Sequence, residues 1–136
     1  MPEFKELRGD HVFILPVAGQ ATAGTADEFS GIVAPYNLKI TAVKWIPAAN
    51  VTADGTNYFT LNLRNRKGDA SGTALAASRS YAATNSTAFV PEAMTLSGTA
   101  ADLLVNAGDV LTVSKVNTGT GLAMPDGVVQ VHAQVR

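Results

Sequence analysis

The sequence predicts an all-β protein, a sandwich or jelly roll of about eight antiparallel strands, and three observations carry that expectation. Apolar residues recur at period two along most of the chain, not at helical spacing. The apolar runs are short and are separated by turn signals rich in Gly, Asn and Asp, such as ADG at 53–55, KGDASG at 67–72, NAGD at 106–109, NTGTG at 117–121 and PDG at 125–127. Finally, 136 residues is the length of a single domain that buries a core of its own without covalent staples.

The strands follow in order. HVFILPVA (11–18) is apolar on both faces, and Pro16 places it at a sheet edge or a strand end. DEFSGIVA (27–34) is a weaker candidate with Gly31 inside it. NLKITAVKWIPAA (37–49) sets Leu38, Ile40, Ala42 and Ile46 on one face and Val43 and Trp45 on the other, which predicts cover on both sides. In NYFTLNLRNRKGD (57–69), Phe59, Leu61 and Leu63 oppose Tyr58, Thr60, Asn62 and Arg64 before the run breaks into charge. TALAASRSYAA (73–83), TAFVPEAMTLS (87–97) and DVLTVSKV (109–116) read as further strands. The clearest is GVVQVHAQVR (127–136): Val129, Val131, Ala133 and Val135 face a core, while Gln130, His132, Gln134 and Arg136 face water or a partner. GTAADLLVNAGD (98–109) holds at most one helical turn, with Thr99 as its cap and Asp102 bonding back to it.

Residues 1–10, MPEFKELRGD, differ from the rest: five of the ten are charged, with Phe4 and Leu7 between them. The organisation expected is an arm over 1–10 and a sandwich domain over 11–136. The plainer reading of the arm is a frayed terminus. The sharper one is a segment that orders on a partner through Phe4 and Leu7, flanked by Glu3, Lys5 and Arg8. It has no charged-then-apolar leader pattern, and the apolar runs of the chain are too short to cross a bilayer, so neither secretion nor membrane insertion is expected.

Net charge is −1 and charged residues make up 15% of the chain. No basic cluster is dense enough for a nucleic-acid backbone; Arg64, Arg66 and Lys67 beside Asp69 read as a solvated hairpin end. A near-neutral surface rich in Ala, Thr, Ser, Asn and Gly protects poorly against self-association and suits a protein covered in an assembly. With no cysteine, disulfides and thiolate metal sites are excluded.

The same residues offer little chemistry. His11 with Asp10 supplies part of a metal site and nothing marks the rest, while His132 lies on the polar face of its strand. No serine sits in a nucleophile elbow. The acids Asp54, Asp69, Asp109 and Asp126 fall at turns, where bonds to the local backbone account for them. The glycines at 119–121 do not open a helix, and no calcium loop is present. Neither an enzyme nor a cofactor is expected. Among the aromatics, Trp45, Phe59, Tyr36 and Tyr81 are read as core anchors and Tyr58 as the best candidate for an exposed ring.

Two segments carry a resemblance. They are ITAVKWIPAANVTADGTNYFTLNLRNRKGDASGTALAA (40–77) and MTLSGTAADLLVNAGDVLTVSKVNTGTGLAMPDGVVQVHAQV (94–135). The pattern joins Ile40, Val43, Trp45 and Pro47, the run from Asp54 to Asn65, the turn Gly68-Asp69-Ala70-Ser71-Gly72-Thr73, and Ala107-Gly108-Asp109-Val110-Leu111. It resembles a group of small tailed-bacteriophage proteins encoded among head genes and regarded as capsid decoration or cement proteins. The resemblance implies a jelly-roll-like protein, commonly a homotrimer, made in the host cytoplasm and seated on the outer surface of the virion. Its partner would be the major capsid protein, with no nucleic acid, membrane or small-molecule substrate involved. It would stabilise the expanded head by bridging shell subunits. In that setting the arm residues Glu3, Phe4, Lys5, Leu7 and Arg8 are the expected shell contact, and Gln130, His132 and Gln134 the expected contact between protomers. The alternative is a fibre or collar module that binds host glycans through Tyr58, Trp45 or the NTGTG loop.

Overall fold

The computed structural model describes residues 9–136. The expected arm contacts Glu3, Phe4, Lys5, Leu7 and Arg8 therefore lie outside the described residues. Ten strands form among the described residues: β1 (His11–Val17), β2 (Asp27–Val33), β3 (Leu38–Pro47), β4 (Tyr58–Asn65), β5 (Ala74–Ser80), β6 (Glu92–Ala93), β7 (Thr95–Leu96), β8 (Leu104–Val105), β9 (Val110–Thr118) and β10 (Gly127–Val135).

They make two antiparallel sheets. The first runs β1-β10-β3-β6, with β8 also on β3; the second runs β2-β9-β4-β5-β7. The chain is doubled on itself: β1 pairs with β10, β2 with β9, β3 with β8, and β4 with β5. Counting β6 and β8 as one interrupted strand beside β3 leaves four strands in the first sheet and five in the second, a jelly-roll-like sandwich with the two-residue β7 as an extra edge. The core lies between the sheets, where Leu15, Ile40, Trp45, Phe59, Leu63, Val113 and Val131 are buried.

The long strands fall where period two placed them; two elements differ. TAFVPEAMTLS is not one strand. β6 pairs with β3 in the first sheet and β7 pairs with β5 in the second, with buried Met94 between them, so this segment crosses from one sheet to the other. The turn after it is a 3₁₀ helix over Ala100–Leu103. Thr99 occupies the cap position but makes no side-chain cap bond, and Asp102 instead accepts a bond from the Ser97 hydroxyl at 2.6 Å.

The two-faced pattern of β3 also has a different cause. His132 pairs with Ala42 and Ala133 with Ile40, which leaves Thr41 unopposed as a β-bulge. The extra residue shifts the phase of the strand by one. Leu38 and Ile40 before it, and Val43 and Trp45 after it, therefore all reach the same core, while Ala42 and Ile46 turn outward and are half-buried. A second bulge falls at Gly31 in β2, between the pairs Ser30–Thr112 and Ile32–Leu111. There a Cβ would collide with the Leu111 carbonyl and the Leu15 side chain, so only glycine fits.

The bulge at Thr41 gives a sharp expectation. Thr41→Ala should cost about 1 kcal/mol or less, since only its hydroxyl bond to the His132 carbonyl is lost. Deleting Thr41 should cost upwards of about 4 kcal/mol, because Leu38 and Ile40 would be driven to the outer face. Urea unfolding of the two variants measures the difference.

Candidate functional site

Between the sheets a polar chain runs from core to surface. Trp45 and Tyr81 are both 0% exposed, and Phe59 packs on Tyr81 with ring centroids 4.7 Å apart. The Trp45 Nε1–H donates to Tyr81 Oη at 2.9 Å. Ser86 Oγ lies 2.6 Å from Tyr81 Oη and donates to Glu92 Oε1 at 2.7 Å, which leaves the tyrosine hydroxyl as donor to the serine. Arg79 closes the chain, its Nε donating to Glu92 Oε2 at 2.9 Å and its guanidinium lying 4.0 Å over the Tyr81 ring. Burial pushes the Tyr81 hydroxyl pKa above its ordinary value of 10.0. Beside this chain lies an open recess of about 440 Å³ lined by Arg79, Thr84, Glu92 and Thr95. Each polar group along the chain has a partner inside it, so its role is to hold β3, β5 and the loop before β6 together.

The outer face of the second sheet is ionic. Arg66 Nε bonds both Glu28 oxygens at 3.0 and 3.1 Å and its Nη2 bonds Oε2 as well; Thr112 Oγ1 donates to Glu28 Oε1 at 2.7 Å, and Arg64 lies 3.6 Å away. The Arg66 bond, seconded by Thr112, holds the Glu28 carboxyl below its ordinary range. This corrects the solvated hairpin end: Arg64 and Arg66 are committed to a carboxylate on β2, beyond the reach of local sequence. A cavity of about 540 Å³ lies alongside, lined by Arg66, Lys67, Ala70 and Val110.

The motifs of the resemblance are structural devices. Asn65 Oδ1 accepts the Lys67 N–H at 2.8 Å, supporting the left-handed φ of +60° at Lys67, and Asn65 Nδ2 donates to Asp109 Oδ2 at 3.0 Å. Asp109 Oδ2 also accepts the Asn106 N–H. Asp54 and Asp69 bond their own turns, through Thr56 and Asn57 and through Ser71. Asp126 departs from the expectation: it accepts the N–H of Gly19, in a different loop.

One core-facing position is unexpected. Lys115 on β9 is 1% exposed, its Nζ donates to Gln20 Oε1 at 3.1 Å, and it lies 5.3 Å from the centre of the Phe59 ring. Burial lowers its pKa from 10.5. Asn117, on the same side of the strand, has a buried amide with no hydrogen-bond partner at either end. Period two sets Lys115 on the same face as Leu111 and Val113, but a lysine there reads as the point where that face meets water, and its burial was not legible in the local sequence.

Gln130, His132 and Gln134 lie together on the outer face of β10, at the middle of the first sheet. Gln134 Nε2 bonds Asp10 Oδ1 at 3.2 Å, while His132 Nε2 is buried without a hydrogen-bond partner. Their neighbours were missed at the sequence level. Val12, paired with His132, and Ile14, paired with Gln130, are 49% and 54% exposed, and Ala42 and Ile46 flank β10 on its other side. The face is mixed: exposed Lys44 of β3 pairs with Gln130 between Ala42 and Ile46, and the exposed apolar part is Val12 and Ile14 on β1. Their signal was a strand apolar on both faces at a sheet edge.

The glycan platform is not assembled. Trp45 is fully buried, and Tyr58, expected to be exposed, packs half-buried against the core. The NTGTG loop is tied down, with the Thr120 N–H bonded to Asn57 Oδ1 at 2.9 Å. His11 stacks edge-on to Tyr36 at 6.0 Å.

No family model and no curated protein matches this chain. Among solved structures, a chain in the structure of the infectious bursal disease virus Gx strain is similar over 92% of this chain, with 10% identity and a TM-score of 0.38. This chain spans 32% of that one. A likeness so distant carries no functional information.

Two measurements probe the interior. Tyr81→Phe strands the Trp45 N–H and should cost about 1–3 kcal/mol in urea unfolding. Lys115→Met should raise the melting temperature at pH 7, since a charge leaves the core. The unfolded lysine keeps its proton up to about 10.5 and the folded one releases it earlier, so the parent gains stability as pH rises through that window. The advantage of the methionine variant should therefore shrink as pH approaches 10.

Proposed function

We propose that the chain is a structural protein of a virus particle, a decoration protein that seats on the outer surface of a bacteriophage head as a homotrimer and bridges major capsid subunits without catalysing a reaction. The observation that supports this best is the outer face of the first sheet. Val12 and Ile14 stand exposed on β1, beside the half-buried Gln130 and His132 of β10, with Ala42, exposed Lys44 and Ile46 of β3 beyond them. Covering the half of Val12 and Ile14 that is exposed contributes about 1 kcal/mol each, and a protein that lives in an assembly has a partner for such a face. The motif resemblance over residues 40–135 points the same way.

In this reading the outer face of β1, β10 and β3 joins protomers, with Gln130, His132 and Gln134 inside the contact, and residues 1–10 reach the shell. The mechanism is mechanical. A protein that binds the intact shell and not its separated subunits stabilises the shell by mass action, and three joined protomers add avidity. Neither nucleic acid, membrane nor small molecule takes part.

Purified protein mixed with heads that lack it should co-sediment with expanded heads; absence of co-sedimentation at every concentration ends the proposal. Ile14→Asp should leave the circular dichroism spectrum intact and turn a trimer into a monomer in sedimentation velocity. A monomeric parent would remove the oligomeric part.

A further inference from the structure

Four loops meet at one end of the sandwich: residues 18–26, 48–57, 81–91 and 119–126. They are cross-linked by backbone bonds, Gln20 with Met124, Val51 with Ser86, and Ala48 with the Asp126 carbonyl. Across all four, the charged residues are Asp54 and Asp126 alone. Both spend their carboxylates on backbone, Asp54 on Thr56 and Asn57 and Asp126 on Gly19. The opposite end, by contrast, carries Arg66, Lys67, Asp69, Asp102 and Arg136.

From this uncharged end Phe89 projects at 73% exposure, the highest among the exposed large apolar residues of the described chain, with Val90 beside it at 48%. Phe89 has a φ of +64°, a left-handed conformation that glycine or asparagine adopts readily and an aromatic residue does not. The loop is nonetheless fixed. The Phe89 N–H bonds the Pro47 carbonyl at 2.8 Å, the Ala88 N–H bonds Asn50 Oδ1 at 2.8 Å, and the Val90 N–H bonds the Thr87 carbonyl at 3.2 Å. Folding thus holds a large ring in solvent, in a backbone state that disfavours it. A ring fixed before contact loses little freedom on binding, and charge depletion around an aromatic anchor is the composition of an interface centre.

We infer that this loop end is the surface that seats on the shell, with Phe89 and Val90 entering an uncharged apolar recess of the shell protein. The inference rests on the decoration reading and names a contact apart from the arm. The electrostatics select the partner. An anionic lipid surface is met by clustered Lys and Arg, and these loops have none. The Arg79–Glu92 pair that borders the 81–91 loop is closed on itself, so a charged protein surface would find no free counter-charge here and the recess is neutral.

The test compares the parent with Phe89→Gly, Phe89→Asn and Phe89→Leu for binding to heads lacking the protein, for oligomeric state, for melting temperature and for capture by neutral and anionic phospholipid vesicles. The glycine and asparagine variants should melt no lower than the parent, keep its oligomeric state, and need at least about tenfold more protein to half-fill the heads. The leucine variant should stay within about threefold of the parent, and no form should bind vesicles. Glycine or asparagine variants that fill heads like the parent overturn the inference. So does a lowered melting temperature, which makes the ring structural, or a changed oligomeric state, which makes the occupant a second copy. Vesicle capture lost in the glycine variant overturns it in favour of lipid. A parent that binds no heads fails the decoration reading itself, an outcome distinct from all of these.

Discussion

Everything in the fold waits on β10. It lies between β1 and β3, hydrogen-bonded to both, and places Val129, Val131 and Ala133 at the centre of the core. Without it β1 has no partner within the first sheet and Trp45 loses the strand beside it. The other pairings repeat the arrangement inward, β2 with β9 and β3 with β8, until β4 and β5 close it as a hairpin. The architecture is therefore one long doubled ribbon rolled so that its faces meet, and the bulges at Gly31 and Thr41 supply local bends.

The two outer faces express different solutions to the same exposure. On the second sheet, Thr112, Ser114 and Asn62 are buried on the outer side under an ionic cover made by Glu28, Arg64 and Arg66. The ion pairs hold that face together, although the Ser114 hydroxyl and the Arg64 Nε beneath them lie buried without a hydrogen-bond partner. The first sheet has no such cover over Val12 and Ile14, and its central histidine carries a buried ring nitrogen without a bond. The difference between the faces is therefore in their cover, ion pairs over the second sheet and exposed aliphatic side chains at the β1 edge of the first.

Period-two alternation depends only on neighbouring residues, which is why the long strands, the inward row Phe59, Leu61, Leu63 and the inward row of β10 were legible. What escaped depends on a second segment. A bulge is defined by the partner strand, so Thr41 looked like a strand covered on both sides. Arg66 finds Glu28, and Asp126 finds Gly19, only after the ribbon has doubled. The crossing at Met94 splits a run whose composition suits one continuous strand. The strain at Phe89 is set by Pro47 and Asn50, far away in sequence. Of the candidate site, the polar outward row Gln130, His132, Gln134 was readable, and the apolar residues bordering it were not. The arm residues fall outside what the structure describes.

Pairing the opening strand with the closing one also constrains biosynthesis. His11 meets Ala133 and Val17 meets Gly127, so most of the polypeptide must leave the ribosome before the first hairpin edge has a mate. At about 5–20 residues per second, that interval is on the order of ten seconds. Throughout it HVFILPV is a bare, uncharged template that any passing strand can extend. The long wait for β10 therefore makes synthesis the interval in which β1 is open to mispairing.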